Sequence, residues 1–575
     1  MAKKHTSVNR APVTAEQSAE ISPRPFSRYN ILISAALIVL LSLAGSMDNI
    51  IEKWTGLTAA VIILLFLFIS KKSSELKNYI TPLFFSVPAY VIWGGISTFY
   101  AASGKFAIFE FSKLLVALCV YITVLFFTDP NQAGFKRIAY IISSAGCLFG
   151  VISVDAASFG ILSKIYKAIF GLFTDNFNIY VMYEQGIRIN GIFGNPNTYA
   201  GFMAIAVILS LYLAVSASGR RSSGFALSLL ALNSLSYLLA FSMGSLFMFL
   251  IACLVMIASS EKSIRISLFL LMLETAVLAF IFAFISMTGL GKTGFISVAP
   301  DLSLALNAFV LYQSDKRLRP ALTKKMHENG KLLIGTVLAI VILVSGYTAA
   351  AFSVSGDLPL TANGNVMRAL YLQSGEYTFE VESSGPVNVS IESQNEYDLM
   401  RHTSAVLYAG TNDQTISVTV PDNSKIVKVN FYTPDEKIKI TNASYDGVEN
   451  GKIHLSYPLL PEFIANRTQD LFANENVVQR TVFFEDGIKL FSKSPLIGRG
   501  LGGFENGVYS VQDFFYETKY AHNHYIQVLS DLGIVGFILF VSMLVFSIIS
   551  LFQSKRKSRS LYAVPVLSDR DFRFD

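Results

Sequence analysis

The chain has 575 residues, of which 52% are hydrophobic and only 15% charged, and its formal net charge is +6. A soluble domain carries roughly 25% charged residues, so this composition excludes an ordinary soluble enzyme and points to a polytopic membrane protein. The three cysteines, Cys119, Cys147 and Cys253, all lie in apolar runs, so no disulfide framework is expected.

Residues 1–29 are polar and basic and read as a cytoplasmic tail without a cleavable signal pattern. About twelve apolar runs then approach the length needed to cross a bilayer core of roughly 30 Å. They lie near 31–47, 56–70, 79–99, 107–127, 137–155, 197–216, 224–241, 244–260, 264–287, 297–314, 331–352 and 532–552. The expected fold is an all-α polytopic membrane protein, with a membrane domain over 30–352 and a last transmembrane helix at 532–552. With a cytoplasmic N-terminus, the even-numbered exits carry Lys71, Lys72 and Lys77; Lys136 and Arg137; Arg220 and Arg221; Lys262 and Arg265; Lys316, Arg317, Arg319, Lys324 and Lys325; and Lys555, Arg556, Lys557 and Arg559. The short odd-numbered loops hold only Lys53, Lys105 and Lys292. This positive-inside bias places both termini in the cytoplasm, the basic tail 553–575 included. It places the longer loops, 156–196 and 353–531, outside.

Within the second outer loop, residues 353–459 change character. Tyr377-Thr378-Phe379-Glu380-Val381-Glu382, Val387-Asn388-Val389-Ser390-Ile391, Thr415-Ile416-Ser417-Val418-Thr419-Val420 and Ile426-Val427-Lys428-Val429-Asn430-Phe431 alternate at period two between Gly, Pro, Asn and Asp turns. The pattern predicts an inserted extracytoplasmic β-sandwich. Residues 460–531 read as helix and loop leading back to the last span.

Of six histidines, only His522 and His524 sit where this outer loop meets an apolar helix. An imidazole titrates near neutrality and can take a proton from a hydroxyl. A metal pair is not expected, because two residues apart is poor spacing on a helix face and no partner cluster lies nearby. Upstream, Gly498, Gly500 and Gly503 mimic a dinucleotide fingerprint, but no buried strand precedes them. Those glycines read instead as a loop folded tightly against the membrane domain. Arginines on outer segments, Arg188, Arg467, Arg480 and Arg499, are candidates to clamp phosphate oxygens. Arg188 stands at a Gly/Asn/Pro-rich turn entering a span. Glu110, Asp155, Glu274 and Asp301 lie in or near spans. Glu110 and Lys113 are spaced to pair on one helix.

His522-Asn523, nine residues and then Gly533-x-x-Gly536 resembles the histidine motif of the O-antigen ligase and O-antigen polymerase superfamily. Arg480 with Pro495-Leu496-Ile497-Gly498-x-Gly500-x-Gly502-x-Phe504 is similar to the family's stretch leading to that histidine. Arg188-Ile189-Asn190-Gly191-Ile192-Phe193-Gly194-Asn195-Pro196-Asn197 looks like its first outer-loop motif. The likeness covers the membrane domain and 460–552, not the β-insert. It departs at Phe241-Ser242-Met243-Gly244-Ser245, where family members often carry Ser-Arg and this chain has no arginine.

The resemblance implies an inverting, metal-independent and cofactor-free glycosyltransferase in cell-surface polysaccharide biosynthesis. It would move a glycan from a polyprenyl (undecaprenyl) diphosphate carrier to an acceptor hydroxyl on the outer face of the cell membrane. His522 would be the catalytic residue, as the base or the orienting group for the acceptor hydroxyl, and 460–531 the catalytic loop. Arg188, Arg480, Arg499, Asn197 and Asn523 would bind substrate. The partners would be a lipid-linked glycan donor, a glycan, lipid or cell-wall acceptor, and the bilayer, with no nucleic acid. Protein O-oligosaccharyl transfer uses the same scaffold. A transporter of lipid-linked glycan is the rival from another class; it would favour internal repeats and mid-membrane charges, whereas the candidate residues here lie on outer loops.

Overall fold

The computed structural model describes residues 81–127, 132–171, 180–182, 188–191, 193–217, 219–434, 437–460 and 475–557, with 58, 61, 62 and 465 as isolated positions. The first expected span, the second but for positions 58, 61 and 62, both polar tails beyond these limits and Arg467 lie outside the described residues. The remaining ten apolar runs are all helical. They give α1 (Pro82–Ser97), α2 (Gly104–Phe127), α3 (Gln132–Ala157), a short α4 (Ile161–Gly171), and then a small hairpin of β1 (Tyr180–Met182) and β2 (Arg188–Gly191). After it come α5 (Pro196–Val215), α6 (Arg220–Leu238), α7 (Met243–Ser259), α8 (Lys262–Gly289), α9 (Ala299–Glu328) and α10 (Gly330–Ser353). Among the described residues, six helical stretches are long and apolar enough to cross a membrane: Gly134–Ala157, Pro196–Val215, Lys262–Gly289, Phe295–Glu328, Gly330–Ser353 and His524–Ser550.

One helix differs from expectation. The apolar run at 297–314 does not end in a basic loop; α9 continues through Lys316–Lys325 to Glu328. Apart from Pro320, mostly good helix formers fill that stretch, and Arg319 pairs with Asp315 one turn away at 2.6 Å.

Helices α3, α5, α6, α8 and α9 share one core, centred on Tyr199, Met203, Leu227, Leu230, Leu268 and Leu311. Apolar burial discriminates poorly between lipid and protein neighbours, so small residues and interhelical hydrogen bonds set the register. Asn233 of α6 donates to the Ser143 carbonyl and to Ser210 Oγ, each at 3.0 Å, tying α6 to α3 and α5. Asn307 of α9 donates to the Ala231 carbonyl at 2.8 Å.

The chain then enters a two-layered β-unit. One antiparallel sheet has the order β11-β10-β5-β8, with β3 also on β10, and the other has β4-β9-β6-β7. The strands are β3 (Leu358–Leu360), β4 (Gly364–Leu370), β5 (Gly375–Ser383), β6 (Asn388–Gln394), β7 (Ala405–Thr411), β8 (Ile416–Val420), β9 (Ile426–Thr433), β10 (Ile438–Gly447) and β11 (Gly451–Lys452). Period-two residues from both layers, among them Tyr377, Phe379 and Val418 against Val389, Val429 and Phe431, form its core. A short helix, α11 (Glu396–Arg401), lies between β6 and β7.

The chain closes with α12 (Glu475–Lys493), α13 (Gly503–Gly507) and α14 (His524–Lys557). Helix α14 is broken at Gly533, whose φ of 65° and ψ of −168° suit glycine alone. The break exchanges hydrogen bonds. Ile534 N–H, which would bond Ser530 in a continuous helix, donates to the Pro495 carbonyl at 2.9 Å, and Val535 N–H donates to Leu496 at 3.3 Å. The freed Ser530 carbonyl accepts from Arg499 N–H at 3.1 Å. The freed Leu532 carbonyl accepts from Trp93 Nε1 of α1 at 3.1 Å. Gly498 and Gly533 meet backbone to backbone; a Cβ on Gly533 would lie 2.5 Å from Gly498 N. The loop is pinned to α1 as well, by Tyr100 Oη donating to Ile497 O (2.8 Å) and Leu501 N–H donating to Ser97 Oγ (3.1 Å).

This seam predicts a sharp sensitivity. Gly533→Ala combines a glycine-only dihedral with a main-chain collision and should cost at least ~3 kcal/mol. Gly201→Ala, where an added Cβ meets nothing, should be neutral. Thermal unfolding of the purified protein in detergent measures both; equal midpoints for the two variants would contradict the seam.

Candidate active site

The seam sets the start of α14, and His522 lies two residues before it. Asn523 Oδ1 accepts from the N–H groups of Tyr525 (3.0 Å) and Ile526 (3.4 Å), capping the helix. Gln527 Oε1 accepts from Ala521 N–H at 2.8 Å, while its Nε2 donates to Asp531 Oδ2 at 2.9 Å. Held on both sides, His522 takes a left-handed conformation with φ 53°. Its imidazole stacks on Phe483 of α12, with ring centroids 5.5 Å apart and planes at 22°.

Phe483 is itself fixed. It is buried and also packs against Tyr516 at 5.2 Å. Tyr516 Oη donates to Asp486 Oδ2 at 2.6 Å. Lys489 bridges Asp486 (2.9 Å) and Asp513 (3.0 Å). Burial and the Asp486 carboxylate push the Tyr516 hydroxyl far above its ordinary pKa, so it stays a donor. The β-unit reaches this core too. Met400 of α11 packs in the same cluster as Phe483 and Tyr516, and Tyr397 meets Phe514 edge-on at 5.3 Å.

Arg480 stands one turn before Phe483 on α12 and is exposed. Burial, and then the Arg480 charge, lower the His522 pKa below the ordinary histidine value, so the ring is neutral at pH 7 and can accept a proton. Two residues before it, Tyr520 closes a triangle. Its hydroxyl donates to Glu110 Oε1 at 2.9 Å, and Lys113 Nζ donates to Tyr520 Oη (2.8 Å) and Glu110 Oε1 (2.9 Å). The expected Glu110–Lys113 pair is therefore also the anchor of the histidine loop. Burial and Glu110 push the Tyr520 hydroxyl up to about 12. His524 has a different ring neighbour, Phe540, which it meets edge-on at 5.0 Å.

Arg499 lies behind this wall. Its side chain packs against Gly503 and Gly507, and its buried Nε has no hydrogen-bond partner among the described residues. Asp531, buried in α14, accepts from Phe504 N–H at 2.7 Å and so ties the glycine loop to the helix.

Arg188 and Asn197 form a second group. Arg188 opens β2 and donates through Nε to the Ala240 carbonyl and through Nη2 to the Phe241 carbonyl, each at 3.2 Å. Nη2 also reaches Asn197 Oδ1 at 3.5 Å, which accepts from Ser242 Oγ at 2.7 Å. Asn195 caps α5 here through the N–H groups of Asn197 and Thr198. The guanidinium of Arg188 thus serves the very turn, Phe241-Ser242-Met243, that lacks an arginine of its own. The structure brings His522, Asn523, Arg480 and Arg499 together in one unit and Arg188 with Asn197 in another, on separate apolar cores.

Asp486, Phe483, Tyr516 and Asp531 escaped the sequence reading. Asp531 carried a usable signal, a carboxylate one turn after Gln527 and two residues before a helix-breaking glycine. The other three are ordinary amphipathic-helix and loop residues until their contacts are known. Among the described residues, no three His, Cys, Asp or Glu side chains gather as metal ligands.

No curated protein and no solved structure matches the chain. The O-antigen ligase family model matches residues 434–541, from the last long strand of the β-unit through His522 and the broken helix. That match, on the stretch that carries the histidine motif, supports placing this membrane protein in the O-antigen ligase superfamily.

Proposed function

We propose that the protein transfers a glycan from a polyprenyl diphosphate carrier to an acceptor hydroxyl at the outer surface of the cytoplasmic membrane, with His522 as the base. The observation that carries this reading is the imidazole of His522, stacked on Phe483 at the mouth of a membrane helix. In the reaction, the acceptor oxygen attacks the anomeric carbon as its proton passes to the imidazole. The bond from that carbon to the diphosphate breaks, inverting the centre. A diphosphate is already a good leaving group, so charge neutralisation by arginine counts for more than a proton donor. Arg480 is an exposed cation whose charge reaches His522 and is suited to this role; Arg188 is the corresponding cation of the other group, and Asn197 orients it. The large loop and the β-unit lie outside and both termini inside, in line with the charge bias of the loops. Ligation, polymerisation and protein glycosylation differ only in the acceptor.

His522→Ala, expressed at normal membrane level, should lower transfer by about 10²–10⁴-fold. Lipid-linked units should then accumulate on the outer leaflet while surface polymer is lost. Normal polymer would remove His522 from the mechanism, and accumulation on the inner leaflet alone would favour export.

The pH profile offers a second check. A base with a lowered pKa works at neutral pH and fails only as pH falls through that lowered value. Removing the Arg480 charge relieves part of the shift, so Arg480→Gln should move the acid limb of kcat to higher pH. An acid limb at the same pH in both proteins would sink the electrostatic role of Arg480.

Tyr516→Phe leaves a buried Asp486 oxygen without its donor, at a cost of about 1–3 kcal/mol. By loosening the platform under His522 it should lower kcat by about 10–100-fold with little change in donor KM. A fall in donor affinity at unchanged kcat would argue against this arrangement.

A further inference from the structure

Helix α4 does not belong to the machinery above, yet its surface is sorted into three arcs. At about 100° per residue, Ile161, Leu162, Ile165 and Ile169 share one arc, and they are 71%, 51%, 52% and 51% exposed. Ser163 and Tyr166 share a second arc and are buried. Lys164 and Lys167 share the third and are exposed. Tyr166 packs with Ala145, Phe149 and Ile152 of α3, so the second arc is the seat of the helix on the bundle. The turn into α4 is rigid, because the buried Asp155 carboxylate accepts from Ser163 N–H at 2.7 Å.

Four large aliphatic side chains in one exposed stripe do not suit water. Eleven residues span roughly 16 Å as a helix, too short to cross a core of about 30 Å. The stripe begins where the spanning stretch Gly134–Ala157 ends, with Phe159 in the connecting turn also 52% exposed. It therefore stands at one end of a spanning helix, where a bilayer core gives way to headgroups. The lysines lie away from the stripe, where a headgroup phosphate would meet them.

We propose that α4 is an interfacial helix, docked on the phospholipid surface at the end of the bundle that carries the Arg188 turn. Its apolar stripe sits among the acyl chains and Lys164 and Lys167 sit among the phosphates. Tyr166 belongs to the cluster that Phe193 packs against, so lipid docking holds the Arg188 loop at headgroup depth. If the transfer reaction proposed above holds, that is the depth of the carrier's diphosphate.

The test uses the full chain in lipid nanodiscs and does not depend on activity. Ile161→Trp, Ile165→Trp and Lys167→Trp are compared with the parent, whose only tryptophans are Trp54 and Trp93. In brominated phosphatidylcholine, the added emission of Ile161→Trp and Ile165→Trp should be largely lost relative to unbrominated lipid. That of Lys167→Trp should persist. Persistence at both isoleucine positions, or equal loss at all three, would overturn the proposal. So would persistence at both isoleucines with Ile165→Cys cross-linking to a second copy, since a protein surface would then cover the stripe.

Discussion

The break in α14 at Gly533 is the constraint on which the C-terminal half depends. A membrane helix cannot leave main-chain groups unpaired in hydrocarbon, where each costs several kcal/mol. Here the donors and acceptors released at 530–535 are taken up by Pro495, Leu496, Arg499 and Trp93. The seam therefore joins three segments distant in sequence: α1, the glycine loop and α14. It also sets where α14 begins, and hence where His522 stands.

From the seam outward, the site is built by satisfying polar groups. Gln527 and Asn523 hold the backbone on either side of His522. Asp486 holds Tyr516, which holds Phe483, which carries the imidazole. Glu110 and Lys113 anchor the loop from α2. Each buried carboxylate has donors on the segment it fixes, so desolvation is offset and the geometry becomes specific. The β-unit is part of this support, since α11 contributes Met400 to the core behind the platform.

The motif around Arg188 shows how one residue answers for an absence elsewhere. The turn at Phe241-Ser242-Met243 has no arginine, yet Arg188, 53 residues before Phe241 in the chain, donates to the Phe241 carbonyl and to that of Ala240 just before it, with Asn197 bonding both Arg188 and Ser242. Arg188 thus places a cation at that corner while also opening β2.

The sequence by itself determined the membrane character, the ten apolar helices that the structure describes, and the period-two strands of the β-unit. It also marked His522 as the histidine to watch. These are local properties: hydropathy over a helix length, alternation over a strand, and a motif at fixed spacing. Tertiary structure alone decided what glycine does at 498 and 533, because a broken helix is repaired by main chain from elsewhere. It likewise decided that Asn523 caps a helix, that Tyr520 joins the Glu110–Lys113 pair, and that Asp486 supports His522 through two rings. Tyr520 and Glu110 are far apart in the chain, so no periodicity links them. Their contact exists because the seam brings the histidine loop down onto α2.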